Sequence, residues 1–122
     1  MPRVFDVDVS VPKGYKGVFK FACNAAWPQN LKIGYHNEEG NVEPVAERNN
    51  TTLDDWETPV NESERDNVYT ISGEYKDRYD RWQKSNVRKQ QQGNSYRIGF
   101  DDGFGDGDYN DIVTTFELNK IH

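Results

Sequence analysis

Residues 96–118 read YRIGFDDGFGDGDYNDIVTTFEL. The ends of this stretch, 96–100 and 112–118, are rich in β-branched and aromatic residues, which favour a pleated, half-buried surface. Between them Asp101, Asp102, Asp106, Asp108 and Asp111 stand within a dozen residues, spaced by Gly103, Gly105 and Gly107. The reading is strand, acidic turn, strand. Two carboxylates about 5 Å apart repel by roughly 3 kcal/mol at an effective dielectric of 20. Such a cluster relieves its repulsion by splaying into water, by retaining protons, or by gripping a cation.

The rest of the chain repeats the same grammar. Val4, Phe5, Val7, Val9 and Val11 nearly alternate with Asp6, Asp8 and Ser10, giving a strand that tolerates an edge position. Pro12, Lys13 and Gly14 turn the chain. Strands are expected at 18–22, 31–35 and 68–72, with a hairpin-like turn at 38–41. From 47 to 64 the sequence is polar and turn-rich, with Trp56 and Val60 as its few apolar anchors. The segment 75–92 is ambiguous: Tyr75, Tyr79 and Trp82 fit a short helix by their i, i+4, i+7 spacing, and exposed strands fit equally well. Short β-rich segments between turns predict an all-β fold, an antiparallel β-sandwich with a C-terminal acidic loop, in a single domain over 1–122.

Bulk properties narrow the functional classes. The hydrophobic fraction is 34% and the mean hydropathy -1.03, so the core is thin, while an aromatic fraction of 13% supplies large buried area from few positions. A core of this kind calls for support from metal or oligomerisation. A net charge of -6 and a pI near 4.9 argue against nucleic acid and anionic membrane surfaces as partners. No apolar run approaches a membrane span. The opening MPRVFDVDVS has no apolar signal segment, which leads to the expectation of cytoplasmic synthesis, with signal-less export as a conjecture. Cys23 stands alone, so an internal disulfide is ruled out, and a small buried thiol is its plain reading. His36 reads as a surface residue at a strand end, and with His122 it is too little for a transition-metal site. Arg78, Arg81, Lys84, Arg88 and Lys89 read as a solvated face. The N-x-[ST] patterns at Asn49, Asn50 and Asn61 read as chance matches.

In the acidic loop, Asp106, Asp108 and Asn110 fall at alternate positions and Asp111 follows directly. Oxygen donors without His or Cys suit Ca²⁺ better than Zn²⁺, and Mg²⁺ seldom accepts an all-protein cage. An EF-hand count starting at Asp106 fails, because Asp111 stands where glycine is required and the flanks read as strands. One GFGDGDY copy cannot stack as a calcium β-helix. The bland alternative is a solvated acidic turn.

The stretch DDGFGDGDYNDIVTTFEL resembles the C-terminal signature of the calcium-mediated bacterial lectins, the small fucose- and mannose-binding family of the LecB type. Upstream, Val11-Pro12, Phe21-Ala22-Cys23-Asn24 and Leu31 resemble that family's early strand, ligating asparagine and specificity loop. The resemblance covers about residues 11–35 and 96–120. It implies an antiparallel β-sandwich with two adjacent Ca²⁺ ions, to which sugar hydroxyls supply oxygens directly. Carried over by position, Asp106, Asp108, Asn110 and Asp111 would be calcium ligands, Asp108 and Asp111 bridging. Asn24 would reach in from the early loop, and Asp101 would replace the family's glutamate. Asp102 would accept a hydrogen bond from the sugar, with Asp106 beside it. Ala25, Ala26 and Trp27 would form the specificity loop, alanine there resembling mannose-preferring members. Trp27 would either stack on a sugar face or pack against Pro28.

Two departures stand out. Phe104-Gly105 replaces a single residue of the usual loop. Family members end in a glycine whose carboxylate completes a neighbouring subunit's site, and here Asn119-Lys120-Ile121-His122 stands instead. A homodimer or higher homo-oligomer is therefore an expectation of the resemblance alone. The implied function is a non-enzymatic lectin for monosaccharides or glycans of mannose or fucose type. The alternatives are a calcium-stapled sandwich without sugar binding and, less favoured, a two-aspartate hydrolase.

Overall fold

The computed structural model describes residues 5–23, 28–77, 79–93, 95–101 and 112–121. Among the described residues ten strands follow one another: β1 (Asp6–Val11), β2 (Tyr15–Cys23), β3 (Gln29–His36), β4 (Val42–Asn49), β5 (Trp56–Glu57), β6 (Asn67–Lys76), β7 (Trp82–Lys84), β8 (Asn86–Gln92), β9 (Ser95–Asp101) and β10 (Ile112–Lys120). They form two antiparallel sheets, the all-β sandwich expected. One sheet runs β1-β6-β3-β4, with β7 added on β6; the other runs β5-β2-β10-β9-β8.

Alternation decides which side chains meet. On β1, Val9 and Val11 are buried while Asp6, Asp8 and Ser10 are exposed. Leu31 and Ile33 of β3, Ile71 of β6, Ile98 and Phe100 of β9, and Ile112 and Phe116 of β10 close the space between the sheets. Aromatic rings supply much of this core, as the composition required. Phe19 lies 4.8 Å from Phe116 and 5.6 Å from Trp56 between ring centroids, and Tyr69 packs at 5.9 Å from Trp56. Burial pushes the Tyr69 hydroxyl pKa up, against a hydrogen bond with Thr58.

The ambiguous segment 75–92 is strand rather than helix in its described residues. Tyr75 ends β6, Tyr79 sits in the turn and Trp82 opens β7. Asp77 makes the turn: its Oδ1 accepts from the Tyr79 and Arg81 amides at 2.9 and 3.0 Å, a side-chain mimic of a backbone turn. The polar region 47–64 contains the end of β4 and the short β5. Asn61 in this region is 1% exposed. Its Nδ2 donates to the Val11 carbonyl at 2.9 Å and the Arg65 carbonyl at 2.6 Å, and its Oδ1 accepts from the Ser63 amide at 2.9 Å. Asn61 is thus a structural clamp beneath an N-x-S pattern. Cys23 is half-buried rather than fully buried and packs on the core rim.

The sheet edges are covered or interrupted. Pro44 lies on the outer strand β4, beside an irregularity in pairing at Ile33/Gly34, both devices that blunt an edge. Lys89 Nζ of β8 donates to the Asp8 carbonyl of β1 at 2.8 Å, stitching one sheet to the other. Among the described residues no helix is long and apolar enough to cross a membrane.

Candidate functional site

The strand register brings described residues that flank the two loop segments singled out in the sequence to one end of the sandwich. Cys23, the last residue of β2, pairs with Ile112, the first of β10. Ile112 pairs on its other side with Phe100 of β9. Segment 24–27 therefore leaves the sheet beside the point where 102–111 leaves and returns. Pro28, which follows the first segment, lies in the opposite sheet's end, where its carbonyl accepts from the Lys76 amide at 2.9 Å. Cys23 and Ile112, which flank the two segments, are about 90 positions apart in the chain and paired at this end.

Of the candidate ligands, Asp101 is described. It is the last residue of β9 and is 3% exposed. Alternation from Ile98 and Phe100, which face the core, turns it to the outer side of its sheet, so its burial does not come from the core. Its partner across the ladder is Asn86, the first residue of β8. The Asn86 Oδ1 is buried and finds no hydrogen-bond donor among the described residues. A buried amide oxygen without a donor is a hard oxygen that a cation or an ordered water would satisfy, while Asp101 already has a partner within the structure. An amide oxygen is of the hard type that Ca²⁺ takes. Sequence reasoning did not single out Asn86, and nothing in Lys84-Ser85-Asn86 signals it; only the pairing register places it there.

Asn24, Ala25, Ala26, Trp27, Asp102, Asp106, Asp108, Asn110 and Asp111 lie outside the described residues. Among the described residues no three His, Cys, Asp or Glu side chains come together as a metal cage. His36 ends β3, half-buried, with Nε2 against Thr70 Oγ1, which donates to Asp8 Oδ1 at 2.6 Å. The basic run is partly committed to contacts. Lys84 Nζ lies 5.7 Å from the Phe5 ring centroid and Lys89 reaches Asp8, while Arg78 lies outside the described residues.

A cleft of about 490 Å³ opens beside His36, between Asn37-Glu38 and the 61–68 segment. It sits at the other end of β3 from Gln29 and so away from the segments above. Its lining carries Glu38, Glu62, Glu64 and Asp66 with Arg65, and no sequence motif pointed to it.

No family model matches the chain, and no curated protein matches it by sequence. Solved structures do share its fold. The Chromobacterium violaceum lectin CV2L, solved in complex with alpha-methyl-fucoside, superposes with a TM-score of 0.54 at 18% identity, covering 89% of this chain and 92% of that one. The C-terminal domain of the BC2L-C lectin from Burkholderia cenocepacia gives 0.56 at 20% identity, over 91% and 93% of the two chains. A Ralstonia solanacearum high-affinity mannose-binding lectin gives 0.52 at 18%, over 89% and 92%. This chain has the sandwich fold of these bacterial lectins across nearly its full length.

Proposed function

We propose that this chain is a calcium-dependent lectin that binds mannose- or fucose-type sugars and leaves them chemically unchanged. The observation that supports this reading is the register Cys23–Ile112–Phe100, in which described residues flanking the early asparagine segment and the acidic signature stand side by side. Two of the fold neighbours, a lectin solved with alpha-methyl-fucoside and a high-affinity mannose-binding lectin, support a sugar ligand, and the open Asn86 Oδ1 is a hard oxygen.

In this reading Asn24, Asp101, Asp106, Asp108, Asn110 and Asp111 hold two Ca²⁺ ions. The ions supply open coordination positions for vicinal sugar hydroxyls. Asp102 accepts a hydrogen bond from a sugar hydroxyl, a charge-assisted contact, with Asp106 beside it. Ala25, Ala26 and Trp27 border the sugar and set its identity. Four positive charges from the ions oppose the five carboxylates, so repulsion becomes attraction. Each site is weak, and useful avidity comes from a homo-oligomer presenting several.

Asp108→Ala tests the reading. Calorimetric titration of this variant is expected to show loss of both Ca²⁺ and sugar binding, because Asp108 bridges the ions. Retained Ca²⁺ affinity would contradict the bridging role. Retained sugar binding without Ca²⁺ would contradict the mechanism.

A further inference from the structure

The N-x-[ST] patterns at Asn49, Asn50 and Asn61 are alike in sequence, and the fold treats them unequally. Asn61 is committed to its clamp: it is 1% exposed, and its Nδ2, the atom a glycan would join, donates to the Val11 and Arg65 carbonyls. A sugar on that nitrogen would break one of these bonds and would need room inside the fold. Asn50 is half-buried, and its Oδ1 accepts from the Gln29 amide at the start of β3. Asn49 differs from both, being exposed at the end of the outer strand β4.

The Asn49 side chain is held through its oxygen. Oδ1 accepts from the Thr51 amide, from Thr51 Oγ1 and from the Thr52 amide, each at 2.9 Å. Beneath it the backbone closes into a tight turn, the Asn49 amide donating to the Thr52 carbonyl at 3.2 Å and the Thr52 amide to the Asn49 carbonyl at 3.3 Å. Among the described residues nothing accepts from Asn49 Nδ2. Three donors on the oxygen fix the carboxamide and leave its nitrogen uncommitted, with the hydroxyl of the third residue of the pattern already beside it. Strand alternation adds a second element. Glu47 and Asn49 lie opposite Lys32 and Asn30 on the outer face of their sheet, both exposed. Arg48 between them turns the other way, its guanidinium over the Phe21 ring at 5.2 Å. An acid two residues before the acceptor gives a modifying enzyme a charge-assisted handle, and the oligosaccharyltransferases that act on folded chains select one there. Asn50 has Arg48 at that position and Asn61 has Pro59.

We propose that Asn49 is an N-glycosylation acceptor of the folded chain, within the site Glu47-Arg48-Asn49-Asn50-Thr51, and that Asn50 and Asn61 are not. The donor is an oligosaccharide carried on a polyprenyl pyrophosphate. Asn49 Nδ2 attacks C1 of its first sugar: the C–N bond forms, the C–O bond to pyrophosphate breaks, and its electron pair leaves with the lipid pyrophosphate. One Nδ2 proton passes to a base of the enzyme. Oδ1 keeps its three hydrogen bonds throughout, so the 49–52 turn survives the modification. A glycan here adds hydrophilic bulk to the outer strand β4, a further obstacle to pairing at that edge. Neither calcium nor a bound sugar ligand takes part.

The test incubates the purified, folded chain with a bacterial oligosaccharyltransferase of that kind and its lipid-linked oligosaccharide, and reads the product by intact-mass and peptide mass spectrometry. A synthetic peptide of residues 45–53 is the unfolded reference. The parent is expected to gain a single glycan, located on Asn49. Asn49→Gln and Thr51→Ala should lose it entirely, Glu47→Gln should lose most of it, and Thr51→Ser and Asn50→Gln should keep it. The modified chain should melt at the temperature of the unmodified one, because the Oδ1 bonds are retained. An unmodified parent overturns the proposal, whether or not the peptide is modified. So does a glycan on Asn50 or Asn61 of the folded parent, or a modified chain that no longer melts cooperatively. Full modification of Glu47→Gln overturns the acid's part in the site.

Discussion

Gly73→Ala is the perturbation whose cost follows most directly from the packing. Gly73 belongs to β6, which pairs with β1, β3 and β7, and it faces Phe100 across the core. A Cβ at Gly73 would meet three ring atoms at 2.7, 3.0 and 3.3 Å. The first distance is well inside van der Waals contact, so something must move. Phe100 is 0% exposed, leaving its ring no open volume to enter. Overpacking of this sort costs about 1–3 kcal/mol. For a chain of 122 residues the unfolding entropy is on the order of 0.26 kcal/mol per degree, so the melting temperature should fall by about 4–12 °C. If the strain is relieved by a shift of β9, Asp101 moves with it and Ca²⁺ affinity falls as well. Calorimetric melting of Gly73→Ala, of Phe100→Leu and of the double variant gives a cycle in which the smaller side chain should recover at least about half of the loss. An unchanged melting temperature in Gly73→Ala, or no coupling between the two positions, would refute the reasoning.

Three further outcomes are expected. Asn61→Ala removes the Asn61 donor from the Val11 carbonyl and leaves the Arg65 carbonyl with Ser63 Oγ, and should cost about 1–3 kcal/mol in urea unfolding; a loss below about 0.5 kcal/mol would show that water replaces the clamp. Saturating Ca²⁺, at about a hundredfold above its Kd, should stabilise the chain by about 2.7 kcal/mol per ion and raise the melting temperature by roughly 10 °C or more over chelator; equal melting curves would remove the metal from the account. At Asp77 burial pushes the carboxyl pKa up, but hydrogen bonds from the Arg81 amide, Gln83 and the Tyr79 amide, with the Arg81 charge, outweigh it and hold the value below normal. A depressed carboxyl contributes stability that is full above its unfolded value, about 3.9, and is lost as pH falls through the lower folded value. Amide exchange at Tyr79 and Arg81 should therefore be slow down to about pH 4 and accelerate below it, and the transition should vanish in Asp77→Asn.

Much of the sandwich was readable from side-chain alternation. Val9 and Val11 on β1, Leu31 and Ile33 on β3, and Ile112, Thr114 and Phe116 after the acidic loop are buried every second residue, and that period is written locally. β4 was not foreseen because it is an outer strand: Val42, Glu43, Pro44 and Val45 are all exposed, so no apolar period marks it. The helical spacing of Tyr75, Tyr79 and Trp82 came from a tight turn between two strands, and the decisive signal was Asp77, whose side chain captures two amides. At the candidate site, the acidic motif was plain in the sequence because charge and glycine are local properties. Asn86 was not, since its place beside Asp101 depends on the pairing of β8 with β9.

The measurement that bears most directly on the central claim is a calorimetric titration of the parent chain with a monosaccharide panel, once in saturating Ca²⁺ and once in chelator. Saturable binding of a mannose- or fucose-configured sugar in Ca²⁺, abolished by chelator, is the predicted result. A flat response to every sugar in Ca²⁺, or binding that survives the chelator unchanged, would contradict it.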